Sequence, residues 1–170
     1  MIRVAILGAG GLGRGMATML GLRKGFRLVG LADSQGYCYD AGGIDAAGLD
    51  GLASVAHMDG CGRESAHSVM DLMGRHGEAI DAVFMALPNL PVTFYADTVR
   101  AIAERTPFQG VMVDALKRTQ AVELLQPLNA LLTGRRILYV TGAGATPGFL
   151  TTVAAVAAQS FVEVERIDIR

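Results

Sequence analysis

Five short runs of β-branched and apolar residues, at 2–7, 26–32, 82–87, 110–114 and 137–141, alternate along the chain with longer stretches of helical period at 12–23, 92–105, 119–132 and 147–159. Four of the runs lack the polar alternation of a strand with one wet face, so both faces of the sheet they build should be covered. Strand and helix in turn describe repeated βαβ units, which is an α/β fold: a doubly wound, mostly parallel sheet in a three-layer α/β/α arrangement. Pro91 and Pro147 fit a first helical turn, where the missing N–H costs nothing. Pro127 falls inside a helical pattern and should kink or split that helix near Leu125. The glycine-rich stretch 33–77 is harder to read; only 64–76 has a helical period, and a short third strand is expected at 54–58. From Val162 to Ile169 the chain alternates in part, like a half-exposed strand. The expected organisation is one domain over residues 1–160, with 161–170 starting a strand that leads to a substrate and dimerisation domain outside this sequence.

Composition narrows the function. With 170 residues, 51% hydrophobic and 18% charged, the chain can bury one sound core. Its 15 Lys and Arg nearly balance 16 Asp and Glu, for a net charge of −1, and they form no basic cluster, which argues against nucleic-acid binding. No apolar stretch reaches the ~18 residues of a spanning helix, and Met1 is followed by no basic segment or cleavage site. Cys38 and Cys61 form no CxxC motif and have no partner His at metal spacing, so reduced thiols in a cytoplasmic protein are expected. His57, His67 and His76 also lack metal spacing and read as surface residues; no metal is expected. No serine-hydrolase elbow, zinc motif or Walker lysine is present.

The informative excess is glycine, 22 residues in all. Gly8-Ala9-Gly10-Gly11-Leu12-Gly13 fits G-x-G-x-x-G between a strand and a helix. In that pattern Gly8 makes the tight turn, Gly10 lets a ligand approach the backbone, Gly13 packs helix on strand, and the N–H groups near Gly11 and Leu12 face an anion. Asp33 lies 20 residues beyond Gly13 at the end of the next strand, where a carboxylate can accept from ribose hydroxyls. A Rossmann dinucleotide-binding domain is the expectation; a glycine-rich turn followed by an Asp in a loop is the alternative. Asp33 would repel a 2′-phosphate, and the adjacent Ser34 and Gln35 supply no cation, which favours NAD; Arg14 near the turn keeps NADP open. Leu87, Pro88 and Asn89 follow the strand across the switch point and should face the same crevice, unless they merely cap the strand. Lys117 follows the next strand and could reach a nicotinamide or a substrate carboxylate, or be a solvated charge. Gly144 lies in a glycine-rich segment before the last helix, suited to a second anion or to a structural turn.

Several phrases resemble the N-terminal half of saccharopine dehydrogenase-like oxidoreductases: Ala32-Asp33-Ser34-Gln35-Gly36-Tyr37, Ala86-Leu87-Pro88-Asn89-Leu90-Pro91, Val113-Asp114-Ala115-Leu116-Lys117-Arg118 and Gly142-Ala143-Gly144-Ala145-Thr146-Pro147-Gly148. The first is also similar to a segment of homoserine dehydrogenases. The resemblance implies an NAD(P)-binding domain, with hydride transfer to a small amino-acid-type substrate and a second domain that supplies the substrate pocket and a homodimer contact. In homoserine dehydrogenases a lysine after the fifth strand approaches the nicotinamide, and Lys117 matches it by position. The isolated chain would be inactive. The rival expectations are a non-catalytic nucleotide-binding redox sensor and a bare scaffold.

Overall fold

In the computed structural model, which describes residues 1–88, 91–145 and 148–168, seven strands form one sheet. They are β1 (Ile2–Leu7), β2 (Phe26–Ala32), β3 (Gly36–Tyr39), β4 (Gly62–Glu64), β5 (Ala82–Met85), β6 (Gly110–Asp114) and β7 (Ile137–Val140), in the order β4-β3-β2-β1-β5-β6-β7. β1 runs parallel to β2 and to β5, and β5, β6 and β7 continue in parallel. β3 and β4 add an antiparallel extension at the β2 side. The helices are α1 (Gly11–Gly21), α2 (Ser68–His76), α3 (Phe94–Arg105), α4 (Thr119–Leu125), α5 (Asn129–Gly134) and α6 (Phe149–Ala158). This is the doubly wound α/β layout expected from the strand and helix periods.

Two apolar clusters lie on the two faces of the sheet. Ala5 and Leu7 of β1 join Val83 and Met85 of β5 under α2, α3 and α4, with Leu72, Val99, Ile102 and Ala121 from those helices. Ile6, between Ala5 and Leu7, points the other way and meets Leu28, Leu31 and Ala17 of α1. Leu28 and Leu31 are three apart yet share a cluster, because the β1/β2 register shifts between Val4 and Ala5 and one extra residue on β2 changes the phase of its side chains. Each fully buried Leu or Ile contributes roughly 1.5–3 kcal/mol relative to exposure, so this alternation fixes which side of the sheet each element covers.

Pro127 splits the third helical pattern as expected: α4 ends at Leu125, a 3₁₀ turn spans Gln126–Leu128, and α5 begins at Asn129. The expectation over 33–77 needs correcting. Residues 54–58 form no strand; Val55–His57 is a 3₁₀ turn whose entry is capped by the Ser54 hydroxyl accepting from the Ala56 N–H at 3.1 Å. The extra strands are β3 and β4, four and three residues long, Gly-Tyr-Cys-Tyr and Gly-Arg-Glu, with none of the β-branched residues that mark the other five. They bring Cys38 and Cys61 to a Cα–Cα distance of 4.9 Å in a disulfide, so the expected free thiols are bonded instead. Residues 163–168 carry no regular secondary structure and are exposed, so the alternating tail pairs with no described strand. The Pro147 helix start lies outside the described residues; α6 begins at Phe149, and none of its residues is buried. Among the described residues no helix is long and apolar enough to cross a membrane.

Candidate functional site

A parallel strand delivers its last residue to the carboxyl edge of the sheet, and β1, β2, β5, β6 and β7 all end on the same edge. The chain leaves β1 toward β2 but returns on the other side at β5, and the two loops diverge to open a crevice there. That crevice, about 1100 Å³, is walled by Gly8, Gly10, Gly11 and Leu12 from the first turn, by Asp33, Ser34 and Gln35 after β2, and by Leu87 and Pro88 after β5. Ten of the predicted site residues thus fall into two groups: Gly8, Gly10, Gly11, Leu12, Asp33, Ser34, Leu87 and Pro88 share the crevice wall, while Gly13 sits behind it in α1 and Lys117 lies on the exposed loop after β6. Gly144 is two strands away, bridged to Gly148, and Asn89 lies outside the described residues.

The glycine-rich turn is shaped by contact. Gly8 has φ +105°, and a Cβ there would lie 2.4 Å from the Ala86 carbonyl oxygen; at Gly13 it would lie 1.9 Å from the Gly8 carbonyl oxygen. The Gly8 and Ala9 N–H groups donate to the Ala32 carbonyl at 2.8 and 3.1 Å, and Ala86 N–H donates to Leu7, binding the three strand ends together. Gly10 faces open space. It is the N-cap of α1 and brings no capping side chain, so the leading N–H groups of the helix, which have no i−4 partner, are turned toward the crevice with the positive end of the helix dipole. Arg14 does not reach the crevice. Its guanidinium donates to the carbonyls of Ala9 (3.0 Å), Leu52 (2.7 Å) and Leu49, pinning the 46–53 segment beside the turn.

Asp33 is tied up by its own chain. Oδ1 accepts from the N–H groups of Gln35 (2.8 Å) and Gly36 (3.1 Å) and from the Ser54 hydroxyl (3.0 Å), and Oδ2 accepts from Val55 N–H (2.8 Å). The Ser68 hydroxyl at the start of α2 donates to the Asp33 carbonyl. The carboxylate therefore closes the β2–β3 turn and anchors the 3₁₀ turn at 55–57.

Sequence reasoning missed the far wall. His67, Ser68, Val69 and Met70 at the start of α2, and Phe94, Asp97, Thr98 and Ala101 on α3, complete the crevice. Their only sequence signal is that both helices begin just beyond a strand's carboxyl end. His67 is thus a crevice residue, while His76 is removed from it and stacks on Tyr39 with ring centroids 3.8 Å apart; burial holds the His76 pKa below its usual range.

Beyond β5 a buried polar network joins the next loops. Asp114, at the end of β6, is fully buried. Its Oδ1 accepts from Leu116 N–H (2.9 Å), Gly142 N–H (2.9 Å) and the Thr141 hydroxyl (3.0 Å), and its Oδ2 accepts from the Tyr139 hydroxyl at 2.6 Å. Burial, then the bond to Asp114, raises the Tyr139 phenol far above the ordinary tyrosine range. Tyr95 donates to the Leu87 carbonyl at 2.9 Å, and burial together with the charge of Asp114 pushes its phenol up to about 12.

Fold and crevice define an α/β domain with a cleft at a topological switch point. No family model matches the sequence. The chain is 34% identical, over an aligned 197 residues, to the (S)-8-amino-7-oxononanoate synthase BioU of Haloferax mediterranei; the match covers 99% of this chain and 56% of that protein. The chain thus spans about half the length of this curated relative. Among solved structures it is similar to yvaA of Bacillus subtilis, a protein provisionally described as an oxidoreductase, with a TM-score of 0.58 and 16% identity over 96% of this chain and 41% of that one. At that identity the likeness establishes the fold alone.

These similarities correct the functional expectations. The resemblance to saccharopine and homoserine dehydrogenases is overturned, because the relative matching nearly the whole chain is named a synthase. With it go the dehydrogenase activity and the assignment of NAD, or NADP, as cofactor; the sensor and scaffold alternatives gain no support either. The physical reason is instructive: the motif reports a glycine turn and a carboxylate at the right spacing, and here that carboxylate has four donors from its own backbone and Ser54.

Proposed function

We propose that this chain is part of an enzyme of the 8-amino-7-oxononanoate synthase type, and that its crevice binds an amino-oxo carboxylate of that kind. The observation that carries the reading is the 34% identity to BioU across 99% of the chain. Such a ligand has a carboxylate at one end, an apolar run of methylenes, and an oxo group beside an amine at the other. The crevice offers matching chemistry: N–H groups at Gly10 to Leu12 for the oxo oxygen, the Asp97 carboxylate for the ammonium, and Leu87, Met70, Phe94 and Ala101 for the methylenes. The ends of β1 and β6 are two interstrand spacings apart, about 10 Å, which is the span of an extended nine-carbon chain. In this pose the carboxylate projects past the crevice wall toward the end of β6, and Lys117, exposed on the loop that follows that strand, is the cation we assign to it.

Calorimetric titration of the 170-residue chain tests this. Saturable binding of (S)-8-amino-7-oxononanoate is expected, weaker by about tenfold or more for nonanoate, which lacks the groups that pair with the buried end. No binding of the amino-oxo acid, or equal binding of both, would overturn the reading.

A further inference from the structure

We infer that Asp114 is the positioning residue of this site: its buried carboxylate holds the loop carrying Lys117 against the glycine segment after β7, and so fixes where that cation meets the ligand. The inference rests on the proposed function for the identity of the ligand, but the holding itself is a matter of geometry. A carboxylate at 0% exposure is costly unless its lone pairs are filled. No Lys, Arg or His among the described residues bonds this one. Four donors do instead, and they come from both loops: Leu116, the residue before Lys117, on one side and Thr141 and Gly142 on the other, with Tyr139 below. The Asp114 carbonyl adds a bond from Ala143 N–H at 2.9 Å. Leu116 is itself buried, so the backbone is fixed on the near side of Lys117 while the lysine side chain remains exposed. The loops after β6 and β7 are thereby set in one register by side chains that do not line the crevice, and Tyr95 separately holds the Leu87 carbonyl after β5.

The chain has two lysines, Lys24 and Lys117, so reductive ¹³C-methylation places one NMR reporter at the site and one remote from it, besides the N-terminus. On saturation with (S)-8-amino-7-oxononanoate the Lys117 signal should shift and the Lys24 signal should not. Asp114→Ala should weaken binding by about tenfold, the scale of one charge-assisted hydrogen bond, and abolish the Lys117 response. Asp114→Asn should restore both, because its amide oxygen can still accept from Leu116, Thr141 and Gly142 while its NH₂ donates to the Tyr139 oxygen. If Asp114→Ala does not fold, the double variant Thr141→Val/Tyr139→Phe removes two of the four donors and should give the same losses in reduced measure. Wild-type affinity and a wild-type Lys117 response in a folded Asp114→Ala or double variant would overturn the inference. If the wild-type chain does not bind, the proposed ligand is wrong. Hydrogen exchange at the Leu116 and Gly142 amides then decides the holding role: slow in wild type and Asp114→Asn and fast in the others supports it, and equal rates refute it.

Discussion

A methyl group at Gly13 would sit 1.9 Å from the Gly8 carbonyl oxygen, whereas at Gly10 it would find no protein atom within 4 Å. Two glycines of one motif therefore answer to different constraints, and substitution separates them. Gly13→Ala forces α1 away from β1 and should cost about 3 kcal/mol or more, at the upper end of overpacking effects. Gly10→Ala should change stability by no more than about 1 kcal/mol, the scale of an N-cap preference, yet it places a methyl group in the crevice and should weaken binding of the amino-oxo acid. Urea unfolding and calorimetry on the two variants give the contrast; equal destabilisation by both would contradict it. Much of this was legible in the sequence, because glycine spacing encodes backbone approach. The engagement of Asp33 was not, since its partners Ser54 and Val55 lie 21 and 22 residues further on in a turn with no periodicity. Asp114 was equally hidden: a carboxylate quoted only as a neighbour of Lys117 proves to be buried, and only the pairing of β6 with β7 brings Tyr139 and Thr141 to it.

Strands built on β-branched residues announce themselves, and those without them do not. The five strands that carry Val or Ile and the proline break at α4/α5 follow from hydrophobic patterning and from a missing N–H. β3 and β4 contain no β-branched residue, and they are ordered by partners: Tyr37 opposite Ala32 on one side and Arg63 on the other. The disulfide reinforces that extension by joining Cys38 of β3 to Cys61 just ahead of β4. Closing a loop of this length should stabilise the fold by about 3 kcal/mol through loss of unfolded-state freedom. Urea midpoints measured with and without reductant should therefore differ, with the Cys38→Ala/Cys61→Ala variant matching the reduced protein. Identical midpoints would mean that the ladder alone supports these strands. The crevice depends on this region, because the turn at 55–57 that anchors Asp33 lies inside the linked loop.

For the molecule as a whole, the α/β architecture was readable from the strand and helix periods, but the chemistry it serves was not, because a switch-point crevice is a property of the topology and is filled differently in different proteins. The same topology has a consequence in time. β1 pairs with β2 about twenty-four residues away, as in Ile2 with Phe26, but with β5 at Val4 and Ala82, seventy-eight residues apart. Closing the longer loop costs more entropy before any contact rewards it, so β1 and β2 should gain amide protection before β5 to β7 during refolding, an order that pulse-labelled hydrogen exchange can read and that simultaneous protection would refute. On the ribosome the delay is imposed by synthesis itself. Until residue 85 emerges, the strand Ile-Arg-Val-Ala-Ile-Leu keeps one edge unpaired, so the nascent chain is open to association with its own copies during an interval that the finished sheet no longer reveals.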